Sequence, residues 1–125
     1  MKNCKIIAIC NQKGGVGKSA TCTNLAVGLT RNGEKVLIVD LDSQASQTVS
    51  LGWRQPDELP VTIATLFDKI INRKIVNPID GILTHDEGVD LIPSSIELSG
   101  IEVRMVTATR REYILKNLLE QLKQD

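Results

Sequence analysis

Seven consecutive residues, Lys13-Gly14-Gly15-Val16-Gly17-Lys18-Ser19, have the types and spacing needed to hold a polyphosphate. The glycines let the backbone bend so that its N–H groups turn inward on phosphate oxygens. In loops of this kind the lysine at position 18 reaches β- and γ-phosphates, and the hydroxyl at Ser19 ligates Mg²⁺. An apolar run, Ile6-Ile7-Ala8-Ile9-Cys10, precedes the loop, and a helical pattern follows it. The helix N-terminus then adds partial positive charge at the same point. A glycine-rich turn between strand and helix can be geometry alone. Seven matching positions in that context weigh toward a nucleoside triphosphate.

A second set of residues follows another apolar run. Val36-Leu37-Ile38-Val39 reads as a buried strand and ends in Asp40-Leu41-Asp42-Ser43-Gln44. Asp40 and Asp42 would then sit at the carboxyl end of a parallel strand, the edge where open α/β sheets bind ligands. One or both could hold Mg²⁺ through water or orient an attacking water. They could equally be turn and cap carboxylates, and spacing alone leaves these readings open.

The elements that must position these groups are legible as patterns. Continuously apolar Ile6–Cys10 fits a strand covered on both faces. Residues 19–31 read as a helix, with Cys22, Leu25, Ala26 and Leu29 in one stripe and Asn32-Gly33 as its stop. Strand, helix and strand with short connections predict a right-handed βαβ unit with parallel pairing.

Residues 46–60 read as loop, with Gly52, Trp53, Pro56 and Pro60. Residues 62–73 carry Ile63, Leu66, Phe67 and Ile70 at helical spacing, with Thr62 as N-cap. Ile82–Thr84, Asp86–Gly88 and Val89–Ile92 read as strand, turn and strand, and His85 beside the turn reads as a solvated loop residue. Ser94 to Glu97 and Thr109 to Glu112 have the capping-box pattern. The last helix shows Leu115, Leu118, Leu119 and Leu122 in one stripe, and Arg104, Arg110 and Arg111 read as a solvated helix face.

Composition sets the class. A chain of 125 residues predicts one domain, with roughly two thirds of its unfolded surface buried. Trp53, Phe67 and Tyr113 are the only aromatics, so the core is expected to be aliphatic. Lys+Arg and Asp+Glu are both 15, which removes a global basic field as a drive for nucleic-acid binding. Cys4, Cys10 and Cys22 form no C-x-x-C, so neither a disulfide framework nor a zinc site is indicated. They read as small buried hydrophobes in a reducing cytoplasm. No apolar run approaches the ~20 residues needed to span a bilayer.

The loop departs from G-x-x-x-x-G-K-[ST] by having Gln12 at its first glycine and a second lysine, Lys13, at its head. This form resembles the deviant Walker A box of the ParA/MinD ATPase family, and Asn11-Gln12 is similar to the ParA/Soj-type partition branch. Val36 to Gln44 resembles the Walker A′ segment of the same proteins, with departures at Ser43, where proline is frequent, and Ala45, where glycine is frequent. Ala20 stands where a second threonine is common, which predicts weaker phosphate binding.

The resemblance implies a P-loop NTPase-like α/β fold with a mostly parallel sheet flanked by helices. Residues 1–125 would be its N-terminal part, stopping before the Walker B strand. It further implies an ATP-dependent homodimer in DNA segregation, with ATP and Mg²⁺ as cofactors, in the cytoplasm at the nucleoid. Nonspecific DNA and a ParB-like stimulating protein would be its partners.

By resemblance, Lys13, Lys18 and Asp42 would be catalytic, Lys13 reaching across the dimer. Residues 13–20 (Lys13, Gly14, Gly15, Val16, Gly17, Lys18, Ser19, Ala20) would hold the nucleotide, and Ser19 and Asp40 would serve the metal. A MinD-like membrane ATPase and a nucleotide-binding fragment without turnover are the alternatives. Without a Walker B strand, Ile6–Cys10 and Val36–Val39 are expected to close on each other, or to pair edges between chains.

Overall fold

A sheet of three short strands divides the molecule, with helices on both faces. The computed structural model describes residues 4–9, 16–107 and 111–123. In chain order the elements are α1 (Val16–Arg31), β1 (Leu37–Val39), α2 (Ser46–Ser50), α3 (Ile63–Ile71), β2 (Leu83–Thr84), β3 (Asp90–Ile92), α4 (Glu97–Thr107) and α5 (Arg111–Leu122). Short 3₁₀ turns cover Pro56–Glu58 and Pro78–Gly81.

The strand order is β1-β3-β2. β1 and β3 run parallel with Ile38 opposite Leu91, and β2 pairs antiparallel with Leu83 opposite Leu91. The α/β class follows the sequence reading, but this sheet is small and mixed. β2 and β3 form the predicted strand–turn–strand, with Gly88 at φ +86° in the turn.

Residues 4–9 differ from expectation. They carry no strand, and Ile6 and Ile7 are 58% and 61% exposed. A strand is stabilised by a ladder to a neighbour, and an apolar run supplies only the side chains for one. The parallel neighbour of β1 is β3, so the expected closure of residues 6–10 onto 36–39 is absent among the described residues.

Alternation along the strands splits the core. Leu37, Val39 and Ile92 join the layer under α3, α4 and α5, which holds Ile63, Leu66, Phe67, Leu98, Ile101, Ile114 and Leu118. Ile38 and Leu91 face the other way, with Ala26, Leu51 and Val89 under α1 and α2. Each fully buried Leu or Ile stabilises by about 1.5–3 kcal/mol.

The stripes on α3 and α5 fall as read, with Leu66 and Leu118 fully buried. On α1 the stripe is only partly used: Ala26 is buried, and Leu25 is 40% exposed. The end of α1 closes as read. Gly33 has φ +88°, its N–H bonds Thr30 O at 3.0 Å, and Glu34 N–H bonds Leu29 O at 3.0 Å.

Three local readings are corrected. Residues 46–60 contain α2 and a 3₁₀ turn. Cys4 is exposed, and Cys22 is only half-buried. The Ser94–Glu97 capping box is not made. Ser94 N–H goes to Thr48 Oγ1 at 3.0 Å, and the entry to α4 is capped from afar, Ile96 N–H donating to Asp57 Oδ1 at 2.9 Å.

The start of α3 does use Thr62, whose N–H donates to Thr65 Oγ1 at 3.1 Å. Ile63 N–H bonds Pro93 O at 2.8 Å, tying that helix to the exit of β3. Arg104 pairs with Asp68 at the surface, a contact worth at most about 1 kcal/mol. The rest of the arginine cluster, Arg110 and Arg111, and the Thr109–Glu112 cap lie outside the described residues or side chains.

Candidate functional site at the carboxyl edge of the parallel strands

The glycine loop runs into α1, whose first helical residue is Val16. Lys13, Gly14 and Gly15 lie outside the described residues, as do the side chains of Val16, Lys18 and Ser19. For Gly17 and Ser19 the backbone is helical, and Ala20 is an exposed residue in the second turn of α1. The helix therefore begins within the loop, as a phosphate-binding helix terminus requires.

Asp40 immediately follows β1 and is 5% exposed. Its N–H continues the parallel ladder by donating to Ile92 O at 3.1 Å, so the carboxylate leaves the sheet at the carboxyl edge. Oδ1 accepts from Asp42 N–H at 3.1 Å. Oδ2 accepts from Thr48 N–H at 3.0 Å and from the Thr48 hydroxyl at 2.7 Å. An ionised carboxylate has about four acceptor positions. The two on Oδ2 are taken, and one on Oδ1 is left open beside the Asp42 N–H.

Asp42 is half-buried, and its Oδ1 accepts from Gln44 N–H at 3.0 Å. Its carbonyl accepts from Ala45 N–H at 2.8 Å, closing a tight turn into α2. Ala45 holds that turn in the left-handed region at φ 56°, ψ 34°. Glycine adopts this region without the cost of about 1–2 kcal/mol that a Cβ brings, which gives the glycine preference there a physical cause.

The structure thus brings Asp40 and Asp42 together at the turn that follows β1. The open choice left by their spacing becomes a division of work: Asp40 is buried and organises the turn, while Asp42 is the more accessible carboxylate. Thr48 and Gln47 were not legible as site residues, because their segment read as loop. Both are buried. Thr48 reaches Asp40, and Gln47 Nε2 donates to Thr23 Oγ1 of α1 at 2.6 Å. The available signal was a stretch rich in amide and hydroxyl side chains, five of the seven residues from Gln44 to Ser50, shortly after two carboxylates.

Cys22 of α1 faces this region. Burial pushes its thiol above the ordinary value of 9.0, and the negative charge of Asp40 adds to the rise. His85 is half-buried rather than fully solvated. Its Nδ1 accepts from Glu87 N–H at 3.0 Å, and its ring stands edge-on to Trp53 at 6.3 Å. A cleft of about 440 Å³ runs between α1, the end of α2 and the β2–β3 turn, with neither Asp40 nor Asp42 in its wall. Its charged residues Arg31 and Glu87 pair at 3.7 Å.

Among the described residues no cluster of three or more His, Cys, Asp or Glu is placed to hold a metal. Nor is any helix among them long and apolar enough to cross a membrane.

Comparison with known proteins agrees with this fold. The Bacillus subtilis sporulation initiation inhibitor protein Soj is 40% identical over 97% of the chain, which covers 46% of that protein. The Caulobacter vibrioides chromosome partitioning protein ParA is 36% identical over 95% of the chain and 43% of its own length. Among solved structures, cobyrinic acid a,c-diamide synthase from Mycobacterium smegmatis with bound ADP and magnesium superposes with a TM-score of 0.81 at 40% identity, covering 90% of this chain and 44% of that one. The same protein has been solved with an ATP analog and magnesium. The chain spans about half the length of these relatives. The AAA domain family AAA_31 matches residues 4–125, and with Soj and ParA similar over nearly its whole length the chain belongs to that family, in its ParA/Soj-type branch.

Proposed function

We propose that this chain is the nucleotide-binding part of a partition-type ATPase. Two features of one chain carry the reading: a helix that starts inside the glycine loop, and a DxD turn at the carboxyl edge of a parallel strand pair. The partitioning relative and the ADP- and magnesium-bound structural neighbour support it.

In this reading the backbone of Gly14 to Ser19, with Ala20 behind it, holds the phosphates of ATP. Lys18 neutralises the β- and γ-phosphates. Ser19 ligates Mg²⁺, and Asp40 supports its water shell through the acceptor position left on Oδ1. The metal would screen phosphate charge. Asp42, the more accessible carboxylate, orients the attacking water. Lys13 acts across a nucleotide-bound homodimer, and slow hydrolysis times its release from nonspecific DNA at the nucleoid, under a ParB-like stimulating protein in the cytoplasm.

Calorimetry with Mg-ATP, followed by turnover measured with and without duplex DNA, tests this. Lys18→Ala is expected to abolish binding. Lys13→Ala is expected to keep binding and to lose about 10³-fold in turnover, the scale of a trans-acting cation in phosphoryl transfer. A Lys13→Ala protein with wild-type turnover would remove the trans role. A second reading, favoured by the 0.81 TM-score against the diamide synthase, is a nucleotide-binding half serving amide synthesis. DNA-independent turnover would favour that one.

A further inference from the structure

Thr48 is fully buried, and both polar ends of its side chain are in use. Its hydroxyl donates to Asp40 Oδ2 at 2.7 Å and accepts from Ser94 N–H at 3.0 Å. Its own N–H donates to the same Oδ2 at 3.0 Å. Asp40 in turn holds the backbone of Asp42 through Oδ1 at 3.1 Å. A single hydroxyl therefore joins the exit of β3, the start of α2 and the turn that carries Asp42. Thr48 and Asp40 are both buried, so solvent has no easy route to replace it.

We propose that Thr48 is a positioning residue for hydrolysis. It locks the Asp40 carboxylate to the end of β3, and Asp40 then sets the backbone, and so the carboxylate, of Asp42. The proposal rests on the reading of Asp42 as the carboxylate that orients water. The chemistry asks for a group that donates and accepts at once in a fixed direction, and a β-branched hydroxyl with a restricted χ1 supplies it. Valine has the same shape and can do neither.

Thr48→Val retains the backbone arm to Asp40, so the turn is expected to remain folded but to loosen. Displacements on the ångström scale away from the reacting atoms can cost about 10²-fold in rate. The experiment compares wild type, Thr48→Val and Thr48→Ser by circular dichroism, Mg-ADP calorimetry and Mg-ATP turnover. Thr48→Val is expected to bind Mg-ADP within about threefold of wild type while turnover falls about 10²-fold. Thr48→Ser, which keeps the hydroxyl, is expected to recover most of that loss.

Equal turnover in wild type and Thr48→Val overturns the assignment while leaving the ATPase reading intact. Parallel loss of binding and turnover in both variants, with altered dichroism, makes Thr48 a purely structural residue and also overturns it. A wild type that binds or hydrolyses no Mg-nucleotide ends the ATPase reading itself, and this assignment falls with it.

Discussion

The two faces of the sheet are built to different depths. Under α3, α4 and α5 lies a thick aliphatic layer with Ile63, Leu66, Ile92, Leu98 and Leu118 sealed from solvent. Under α1 and α2 the layer is thin, with Ala26, Ile38, Leu51, Val89 and Leu91, and Leu25 of α1 stays partly in water. Among the described residues, Asp40 and Asp42 lie in the turn to α2, Gln47 and Thr48 on α2 itself, and Ala20 on α1. The thin side is joined by directed polar bonds instead: Asp40 to Thr48, Thr48 to Ser94 and Gln47 to Thr23. Apolar area stabilises without choosing a geometry, whereas hydrogen bonds choose one. The division places stability on one face and precision on the other, and segments that handle ligands are commonly drawn from the less stable part of a fold.

The largest effect should separate the faces directly. Leu66→Ala removes a fully buried side chain from the thick layer and is expected to cost about 2–5 kcal/mol. Against a total of about 5–15 kcal/mol, that is enough to unfold a marginal domain. Leu25→Ala, on the thin face, should cost less than about 1 kcal/mol, because much of its surface never leaves water. Urea midpoints that fall equally for the two variants would erase the asymmetry.

Next comes the polar anchor of the thin face. Asp40→Asn keeps the shape, but one of its two terminal atoms becomes a donor. Turned either way, that NH₂ meets an N–H: Thr48 on one side or Asp42 on the other. The expected cost is about 1–3 kcal/mol. Asp42→Asn preserves an oxygen for Gln44 N–H and should change stability by no more than about 0.5 kcal/mol. Thermal melts of the two variants check the contrast, and an Asp42→Asn protein as unstable as Asp40→Asn contradicts it.

A smaller effect is read through pH. The Cys22 thiol is raised above 9.0 by burial and then by the Asp40 charge. The folded protein therefore keeps a proton that the unfolded chain releases. Its contribution is complete below that value and declines as pH rises through and above it. Stability should fall above about pH 9 in wild type and fall less steeply in Cys22→Ala. Exposed Cys4 should be alkylated well before Cys22. Equal alkylation rates at pH 8 would mean that α1 does not shield the thiol.

The same division decided how much the sequence could say. The thick face was legible: the α3 and α5 stripes are periodic, and periodicity is what apolar burial leaves in a sequence. The thin face was less so. Ile6–Ile9 has the composition of a buried strand, and yet Ile6 to Ala8 lie exposed and Ile9 is only half-buried, because pairing depends on a neighbour that a local pattern does not contain. Asp40 and Asp42 were found by their place after a strand. Thr48 was missed because its bonds to Asp40 and Ser94 span 8 and 46 residues, and no local spacing marks contacts of that length. The Ser94 cap failed for the same reason, since its N–H was already engaged by Thr48.

The smallest expected effect tests the joint between the two faces. Ala45 is buried at the left-handed turn that enters α2. Ala45→Gly relieves a backbone cost of about 1–2 kcal/mol. It also gives up a buried methyl worth about 0.8 kcal/mol, and it frees the unfolded chain by about 0.4–1 kcal/mol. The terms nearly cancel, so the melting temperature should move by no more than about 3 °C. A clear rise would mean that strain at Ala45 outweighs its packing and that the turn carrying Asp42 is held under tension. A clear fall would mean that the Ala45 methyl is part of the thin core. That result would enlarge the apolar share of the thin face and reduce the part that hydrogen bonds play in its geometry.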